Sequence, residues 1–252
     1  MLINYKQKYK ARGKWIFVPT EECERKGRRI IRYFSHFKFP SYFYHFQPGG
    51  HVSALHAHIG QKLFFKIDIQ NYYYSIARMR VTRALRSFAY PGANTLAQWS
   101  CVSNPYAGGH RHVLPIGFVQ SALLSSLVLM KSPVADAMKR AMAKGVVISI
   151  YMDDFIGSHD DAAILQEAYD EIRNTSVAAG LLPNLEKLVP PTEAISAFNC
   201  DITFGEIIIQ PQRVEKYCTR EGRSPASDAS FIHYIQRVQA ANHTEAPIPI
   251  LP

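Results

Sequence analysis

Three aspartates are placed where they could bind metal ions. Asp153 and Asp154 close the tetrad Tyr151-Met152-Asp153-Asp154, which follows Gly145-Val-Val-Ile-Ser-Ile150 and precedes the apolar Phe155-Ile-Gly-Ser158. A β-branched run bounded by Gly predicts a strand leaving a turn, so both acids fall at the tip of a strand-turn-strand hairpin. Adjacent carboxylates on a turn ordinarily mean a solvated acidic loop. Here the flanks are too apolar for that. A third acid, Asp68, sits in a second apolar strand, Phe64-Phe-Lys-Ile-Asp-Ile-Gln-Asn-Tyr-Tyr-Tyr-Ser-Ile76. Two apolar strands that bring carboxylates together suit hard divalent cations, because Mg²⁺ takes oxygen ligands from one or two carboxylates plus substrate phosphates. A pair of such ions about 4 Å apart can clamp the attacking and leaving oxygens of a phosphoryl transfer.

Other elements must position these residues. Lys14-Trp-Ile-Phe-Val-Pro19 reads as a short strand closed by proline, and residues 24–38 as a basic, partly aromatic helix ended by Pro40. Tyr42 to Gly50 is aromatic and breaks at Pro48 and the glycines; a helix begins at Ser53 and leads to a strand over 63–70. Residues 77–88 form a helix with Arg80, Arg83 and Arg86 at near-helical spacing, and 91–113 a Pro/Gly/polar connection. Leu114-Pro-Ile-Gly-Phe-Val-Gln-Ser-Ala122 turns into an apolar helix reaching Met130, and a helix over 132–143 leads to the acidic hairpin. Beyond it, Asp160 or Asp161 caps a helix from Ala162 to Ala179 that Gly180 stops. Phe198-Asn-Cys-Asp-Ile202 and Glu206 to Ile209 pair as a hairpin; one helix, Ser227 to Ala241, precedes a Pro-rich tail, Ala246 to Pro252. That helix carries Phe231, Tyr234, Ile235 and Val238 as an apolar stripe needing cover, from its own chain or from a partner.

The composition narrows the class. At 252 residues with 47% hydrophobic and 12% aromatic content, the chain is one moderately large domain or a few intimate subdomains, not a disordered segment. No run reaches the length of a membrane span and the first residues lack a signal-peptide core, so a cytoplasmic protein is expected. Cys23, Cys101, Cys200 and Cys218 are scattered without metal-ligand spacing, and His51, His56 and His58, which lack a partner cysteine, read as structural or RNA-facing rather than as metal ligands. The net charge of +9 concentrates at the start: residues 1–38 hold eleven Lys and Arg against three acids, interleaved with Tyr5, Tyr9, Trp15, Tyr33 and Phe34. Clustered bases among aromatics suit a phosphate backbone and stacked bases.

Tyr-Met-Asp-Asp on a hairpin, preceded by an Asp-Ile-x-x-Tyr-Tyr strand, resembles the palm of a reverse transcriptase, and the likeness runs in order from about residue 14 to 202. It is strongest toward bacterial enzymes of the retron, abortive-infection and phage-defence groups. The resemblance implies an α/β right-hand polymerase: basic fingers over 1–62, a palm with a small antiparallel sheet over 63–210 with an inserted fingers segment near 77–113, and a rudimentary thumb with the tail over 211–252. Two Mg²⁺, with Mn²⁺ as substitute, would sit on Asp68, Asp153 and the Ile69 carbonyl, Asp154 tuning the site. One ion would activate a primer 3′-hydroxyl; the other would carry the triphosphate.

Other positions follow from the same resemblance. Lys14 stands where the family has a triphosphate-binding Arg, and is otherwise a solvated strand lysine. Tyr73 occupies the place of the residue that excludes a 2′-hydroxyl, with Tyr72 and Tyr74 as competitors. Gly117 and Ser121 match a Leu-Pro-Gln-Gly-x-x-x-Ser-Pro element supporting the nucleotide, although Ile116 and Ala122 replace its Gln and Pro. Lys187, in Gly180-Leu-Leu-Pro-Asn-Leu-Glu-Lys187, would act on the leaving pyrophosphate as a general acid, or be a loop lysine. Phe198-Asn-Cys200 replaces the Phe-Leu-Gly of a primer grip.

The implied function is RNA-directed DNA synthesis from dNTPs on an RNA template, in an anti-phage setting, with a structured RNA, a second subunit or a second copy as partner and no membrane. Three rivals remain: an RNA-dependent RNA polymerase, a template-independent or protein-primed DNA polymerase drawing on fourteen tyrosines, and an RNA-binding scaffold with a relic palm.

Overall fold

A computed structural model of the chain describes residues 2–106 and 108–244. The elements run β1 (Tyr5–Ala11), β2 (Lys14–Pro19), α1 (Glu21–Tyr33), α2 (His51–His58), β3 (Leu63–Asp68), α3 (Arg78–Ser87), α4 (Ala93–Ser100), β4 (Val102–Ser103), β5 (His112–Val113), α5 (Ser121–Met130) and α6 (Pro133–Ala143). Then follow β6 (Val147–Tyr151), β7 (Asp154–His159), α7 (Ala162–Ala178), β8 (Val189–Thr192), β9 (Ile195–Ala197), β10 (Cys200–Thr203), β11 (Glu206–Ile209), α8 (Pro211–Cys218) and α9 (Pro225–Gln239). They form two compact units. The first takes the chain up to Pro40, Ile69–Met138 and Ile172–Asn184; the second takes Ser41–Asp68, Lys139–Glu171 and everything from Leu185.

In the first unit β1 and β2 pair antiparallel across a turn at Arg12 and Gly13, both at positive φ as a two-residue hairpin turn requires. Thr20 caps α1 by accepting from the Cys23 N–H at 3.3 Å, and Glu21, Glu22 and Glu24 complement the positive end of the helix. Phe17, Cys23, Tyr74, Val102, Val113 and Phe118 pack together as a core. Gly117, at φ +109, runs against β2, where Phe17 N–H donates to the Ile116 carbonyl at 2.9 Å. A Cβ there would overlap the Phe17 carbonyl, so this turn needs glycine.

The stretch 91–113, expected to be an irregular connection, contains α4 and the short β4–β5 pair. Its buried face of Ala93, Leu96, Ala97 and Ser100 spans only two turns, and two of its positions are alanine, too weak a periodicity to stand out. The strand β1 was likewise hidden, because its alternating lysines are set against Tyr5, Gln7, Tyr9 and Ala11 rather than an apolar run, and six of its seven residues are exposed.

The second unit is built on an antiparallel sheet ordered β6-β7-β3-β8. β7 lies between two neighbours and is apolar and buried from Phe155 to Ser158. Gly157 faces Phe65 across the β3–β7 pair, and a Cβ there would strike the phenyl ring. A second sheet, β11-β10-β9, packs with α2, α8 and α9 around Leu55, Ile202, Ile207, Ile235 and Val238.

The chain beyond Pro211 forms two helices rather than the single one expected. Tyr217 of α8 stacks on Phe231 of α9 with centroids 3.9 Å apart, and its hydroxyl donates to Asp228 at 2.8 Å. α8 escaped notice because eight residues supply only Val214, Tyr217 and Cys218 as apolar positions. The α9 stripe docks on its own unit: Phe231, Ile235 and Val238 are buried against Val52, Leu55 and the second sheet, with Tyr234 at their edge. A partner is therefore not needed to cover it. The Pro-rich tail from Ala246 lies outside the described residues. Among the described residues no helix is long and apolar enough to cross a membrane.

Candidate active site

The acidic hairpin forms as its sequence dictates. Tyr151 and Asp154 close a two-residue turn in which Met152 takes φ +60, the positive φ that the first position of a type II′ turn requires. A side-chain-bearing residue pays for that conformation, and such strain persists only where the surroundings hold it. Two of those surroundings are visible: the Met152 N–H donates to His45 Nδ1 at 3.4 Å, and the Ile150 N–H donates to the Tyr42 carbonyl at 2.7 Å.

Asp68 and Asp154 are direct partners in the β3–β7 ladder, so their carboxylates share one face of the sheet. Like charges opposite one another repel, and two lysines offset the repulsion. Lys66, two residues before Asp68 and thus on the same face, reaches Asp154 Oδ1 at 3.3 Å. Lys187 donates to Asp68 Oδ2 at 3.1 Å. The Asp68 side chain is only 7% exposed and that of Lys187 57%, so the acid is held inside and the base enters from solvent. Burial pushes the Asp154 carboxyl above its ordinary range; Lys66 pulls it down and Asp68 pushes it further up. The hydrogen bond that Lys187 donates to Asp68 raises the pKa of its ammonium, which Asp154 and Asp153 also favour.

A divalent cation fits this donor set. Among the described residues no group of three or more His, Cys, Asp or Glu converges tightly enough to bind a metal unaided. Mg²⁺ does not require one, since one or two carboxylates suffice when substrate phosphates complete the shell. Buried Asp68 and half-buried Asp154, with Asp153 on the adjoining turn, gather negative charge on an apolar sheet, and the Lys66 and Lys187 ammoniums lie against it.

Two histidines brace the hairpin. His58, at the end of α2 and fully buried, sits with Nδ1 2.7 Å from Ser158 Oγ on β7 and Nε2 2.7 Å from Ser149 Oγ on β6. It thus ties the two strands that carry the tip. Burial depresses its pKa to about 3, so the ring is neutral and one nitrogen donates while the other accepts. Burial likewise lowers His45 to about 4. His56 Nε2 meets the Val238 carbonyl at 3.0 Å, and His51 Nε2 the Tyr234 hydroxyl at 3.3 Å. These are structural histidines. Sequence reasoning missed Lys66 and His45 and left His58 as structural or RNA-facing without its partners; period-two spacing to Asp68 could have flagged Lys66, whereas the braces depend on contacts about a hundred residues apart.

Asp68, Asp153, Asp154 and Lys187 thus belong to one unit. Lys14, Ile69, Tyr73, Gly117 and Ser121 belong to the other. There Lys14 opens β2 and is exposed, and Ile69 is buried. Tyr73 is half-buried in a 3₁₀ turn, while Tyr72 and Tyr74 are buried with hydroxyls directed at the Ser125 and Trp15 carbonyls. Ser121 is buried, and its hydroxyl donates to the Pro115 carbonyl at 2.7 Å, bracing the turn that Gly117 permits. Asp161, not Asp160, caps α7, accepting from Ala163 and Ile164 N–H at 2.8 and 3.0 Å.

The family described as reverse transcriptase (RNA-dependent DNA polymerase) matches residues 22–194. No curated protein matches the chain in sequence. Among solved structures, the foamy viral protease-reverse transcriptase dRH in complex with double-stranded DNA is similar with a TM-score of 0.52 at 18% identity, covering 90% of this chain and 34% of that one. Telomerase from Candida albicans in complex with a fragment of telomeric RNA is similar with a TM-score of 0.50 at 11% identity, covering 79% of this chain and 41% of that one. The likeness is one of fold: mixed helices with small antiparallel sheets. The chain spans about a third of the foamy viral chain and about two fifths of the telomerase.

Proposed function

The chain belongs to the reverse transcriptase (RNA-dependent DNA polymerase) family, and on that premise we propose that it is a nucleotidyltransferase extending a 3′-hydroxyl with dNTPs on an RNA template. The observation that carries this reading is the cross-strand pair of buried Asp68 and half-buried Asp154, next to Asp153 on the turn and balanced by Lys66 and Lys187. Asp68, Asp153 and Asp154, with the Ile69 carbonyl, would hold divalent cations. Such ions, Mg²⁺ or Mn²⁺, supply charge neutralisation at the phosphates and a lowered pKa for an attacking hydroxyl.

The chain's own residues do the rest. Lys66 lies against Asp154 and opposes the upward push that burial and Asp68 give its carboxyl, which favours the ionised form that a cation needs. Lys187 swings from Asp68 toward whatever anion enters. The hydrogen bond to Asp68 keeps Lys187 as the ammonium, the charged and proton-bearing form that would hold a leaving pyrophosphate and act as its general acid. Tyr73, the half-exposed member of its triplet, is the ring we assign to excluding a 2′-hydroxyl. Ser121 and Gly117 act indirectly, by shaping the turn before α5. Lys14, exposed on its hairpin, remains our assignment for the triphosphate.

Ile116, Ala122 and the sequence Phe198-Asn199-Cys200 support placing the chain among the retron, abortive-infection and phage-defence groups, with fingers, palm and a small thumb divided as the motifs divide them. A structured RNA, a second subunit or a second copy as partner now rests on the basic charge of residues 1–38 alone.

Primer extension with an RNA template, dNTPs and Mg²⁺, followed by sequencing of the product, tests the proposal. Product complementary to the template is expected. Product of unrelated sequence, or DNA covalently joined to a tyrosine, would move the activity to template-independent or protein-primed synthesis. A folded chain that incorporates nothing with either metal would leave only an RNA-binding scaffold. Tyr73→Ala should raise ribonucleotide use relative to deoxynucleotide, while Tyr72→Ala should not.

A further inference from the structure

The C-terminal ends of α1 and α3, both in the first unit, build a surface that takes no part in the chemistry above. Phe34 is buried at its centre. Around it stand Tyr33, Phe37, Phe88 and Tyr90, with ring centroids 5.1, 5.8, 5.7 and 6.3 Å away. Tyr33 and Tyr90 also meet edge to face at 4.8 Å. Core packing accounts for Phe34 but not for its neighbours. Tyr33 is 51% exposed, and Phe37, Phe88 and Tyr90 each keep part of the ring in solvent.

The rim of this cluster is basic. Arg29, Arg32, Lys38 and Lys131 are all exposed, and Lys131 Nζ stands 4.8 Å from the Phe88 ring centre. The carboxylates of α1 are spent in its first turns, where Glu22 and Glu24 pair with Arg25, Lys26 and Arg28. Among the described residues no ion pair joins Arg29, Arg32, Lys38 or Lys131. In the sequence from Arg25 to Ala135 the only carboxylate is Asp68, which lies in the other unit.

Rings left partly bare inside a rim of cations that make no ion pair match one kind of partner: an anionic chain with flat, unpaired bases. A duplex offers the phosphates but hides the faces of its bases. We propose that this aromatic–basic surface binds single-stranded nucleic acid, with bases stacking on Tyr33 and Tyr90 and phosphates meeting Arg29, Arg32, Lys38 and Lys131. The surface needs only a single strand, so it stands whether or not the chain polymerises.

The test is fluorescence anisotropy of short labelled oligo-dT and oligo-U with the full chain, against a blunt duplex hairpin, over a range of salt. The parent should prefer the single strands. Tyr33→Ala/Tyr90→Ala should weaken that binding by at least about tenfold with the salt dependence unchanged, because stacking is lost and charge is kept. Arg29→Ala/Arg32→Ala should instead make the log–log salt slope shallower by about 1.4, two phosphate contacts on a single strand. Should the double tyrosine variant fail to fold, Tyr33→Ala alone, at the more exposed ring, carries the same reading with a smaller loss. Folded variants that bind like the parent would overturn the proposal, as would a parent that prefers the duplex. So would a dimer seen by light scattering that Tyr33→Ala dissolves, since the surface would then be a contact between copies.

Discussion

The two units divide the charge of the chain unequally. The first carries eighteen Lys and Arg against four Asp and Glu, the second eleven against sixteen, so charges of +14 and −5 make up the overall +9. The difference is one of labour as well as sign. In the acidic unit Asp68 and Asp154 face each other across the central sheet, where their repulsion costs stability and nearby cations relieve it. In the basic unit lysines and arginines lie on exposed strands and helices, where they cost little and attract phosphate from a distance. On the proposed function, one unit would hold metal and reacting atoms and the other a polyanion.

That division is broken most severely by removing a charge from the acidic side. Asp153→Asn should lower Mg²⁺-dependent nucleotide incorporation by about 10³-fold or more, since one ligand charge of a two-ion site is lost. Steady-state incorporation on a primer–template measures it, with the fold checked by circular dichroism. The basic side is challenged by salt. Affinity for nucleic acid should fall on the order of 10³-fold between 50 and 200 mM salt if six or more phosphates are engaged. A flat salt response would show that the +14 unit is not the anchoring surface.

Smaller effects test how the acidic unit is held together. His58 has a folded pKa depressed by burial from 6.5 to about 3, so the folded state keeps the ring neutral. Its contribution is present above pH 6.5 and is lost as pH falls toward 3, because the unfolded chain takes up the proton first. The slope approaches about 1.4 kcal/mol per pH unit in that window. Denaturant melts of the parent and His58→Gln across pH should show a shallower decline for the variant. Asp154→Asn is expected to do the reverse at neutral pH and without metal. Its carboxyl is raised, so the ionised form is disfavoured by the fold, and removing the charge should stabilise by up to about 1 kcal/mol. That gain should shrink as pH falls through the carboxyl's folded pKa and vanish below the ordinary value of 3.8, where both states of the parent are protonated.

Much of this was legible in the sequence where a local rule acts alone. The strands bearing Asp68 and Asp154 are apolar enough to read directly, and β2 and α7 fall where their patterns place them. The ladder partnership of Asp68 and Asp154 follows once both strands are recognised. What could not be read depends on distant contact. His58 finds Ser149 and Ser158 only after three elements meet, and the α9 stripe could have been covered by a partner as well as by Leu55 and Ile207. The aromatic cluster around Phe34 joins residues of two helices more than fifty positions apart. α4 and α8 were lost for the simpler reason that eight residues give periodicity too little length.

The most direct test of the division of labour is to measure binding and chemistry together on Asp68→Asn. Primer–template affinity by anisotropy and single-nucleotide incorporation with Mg²⁺ are taken on one preparation shown to be folded. The expected result is affinity equal to or tighter than that of the parent, because a negative charge has been removed, with incorporation lost. A folded Asp68→Asn chain that incorporates at the parent rate, or one that loses binding and incorporation in parallel, would contradict it.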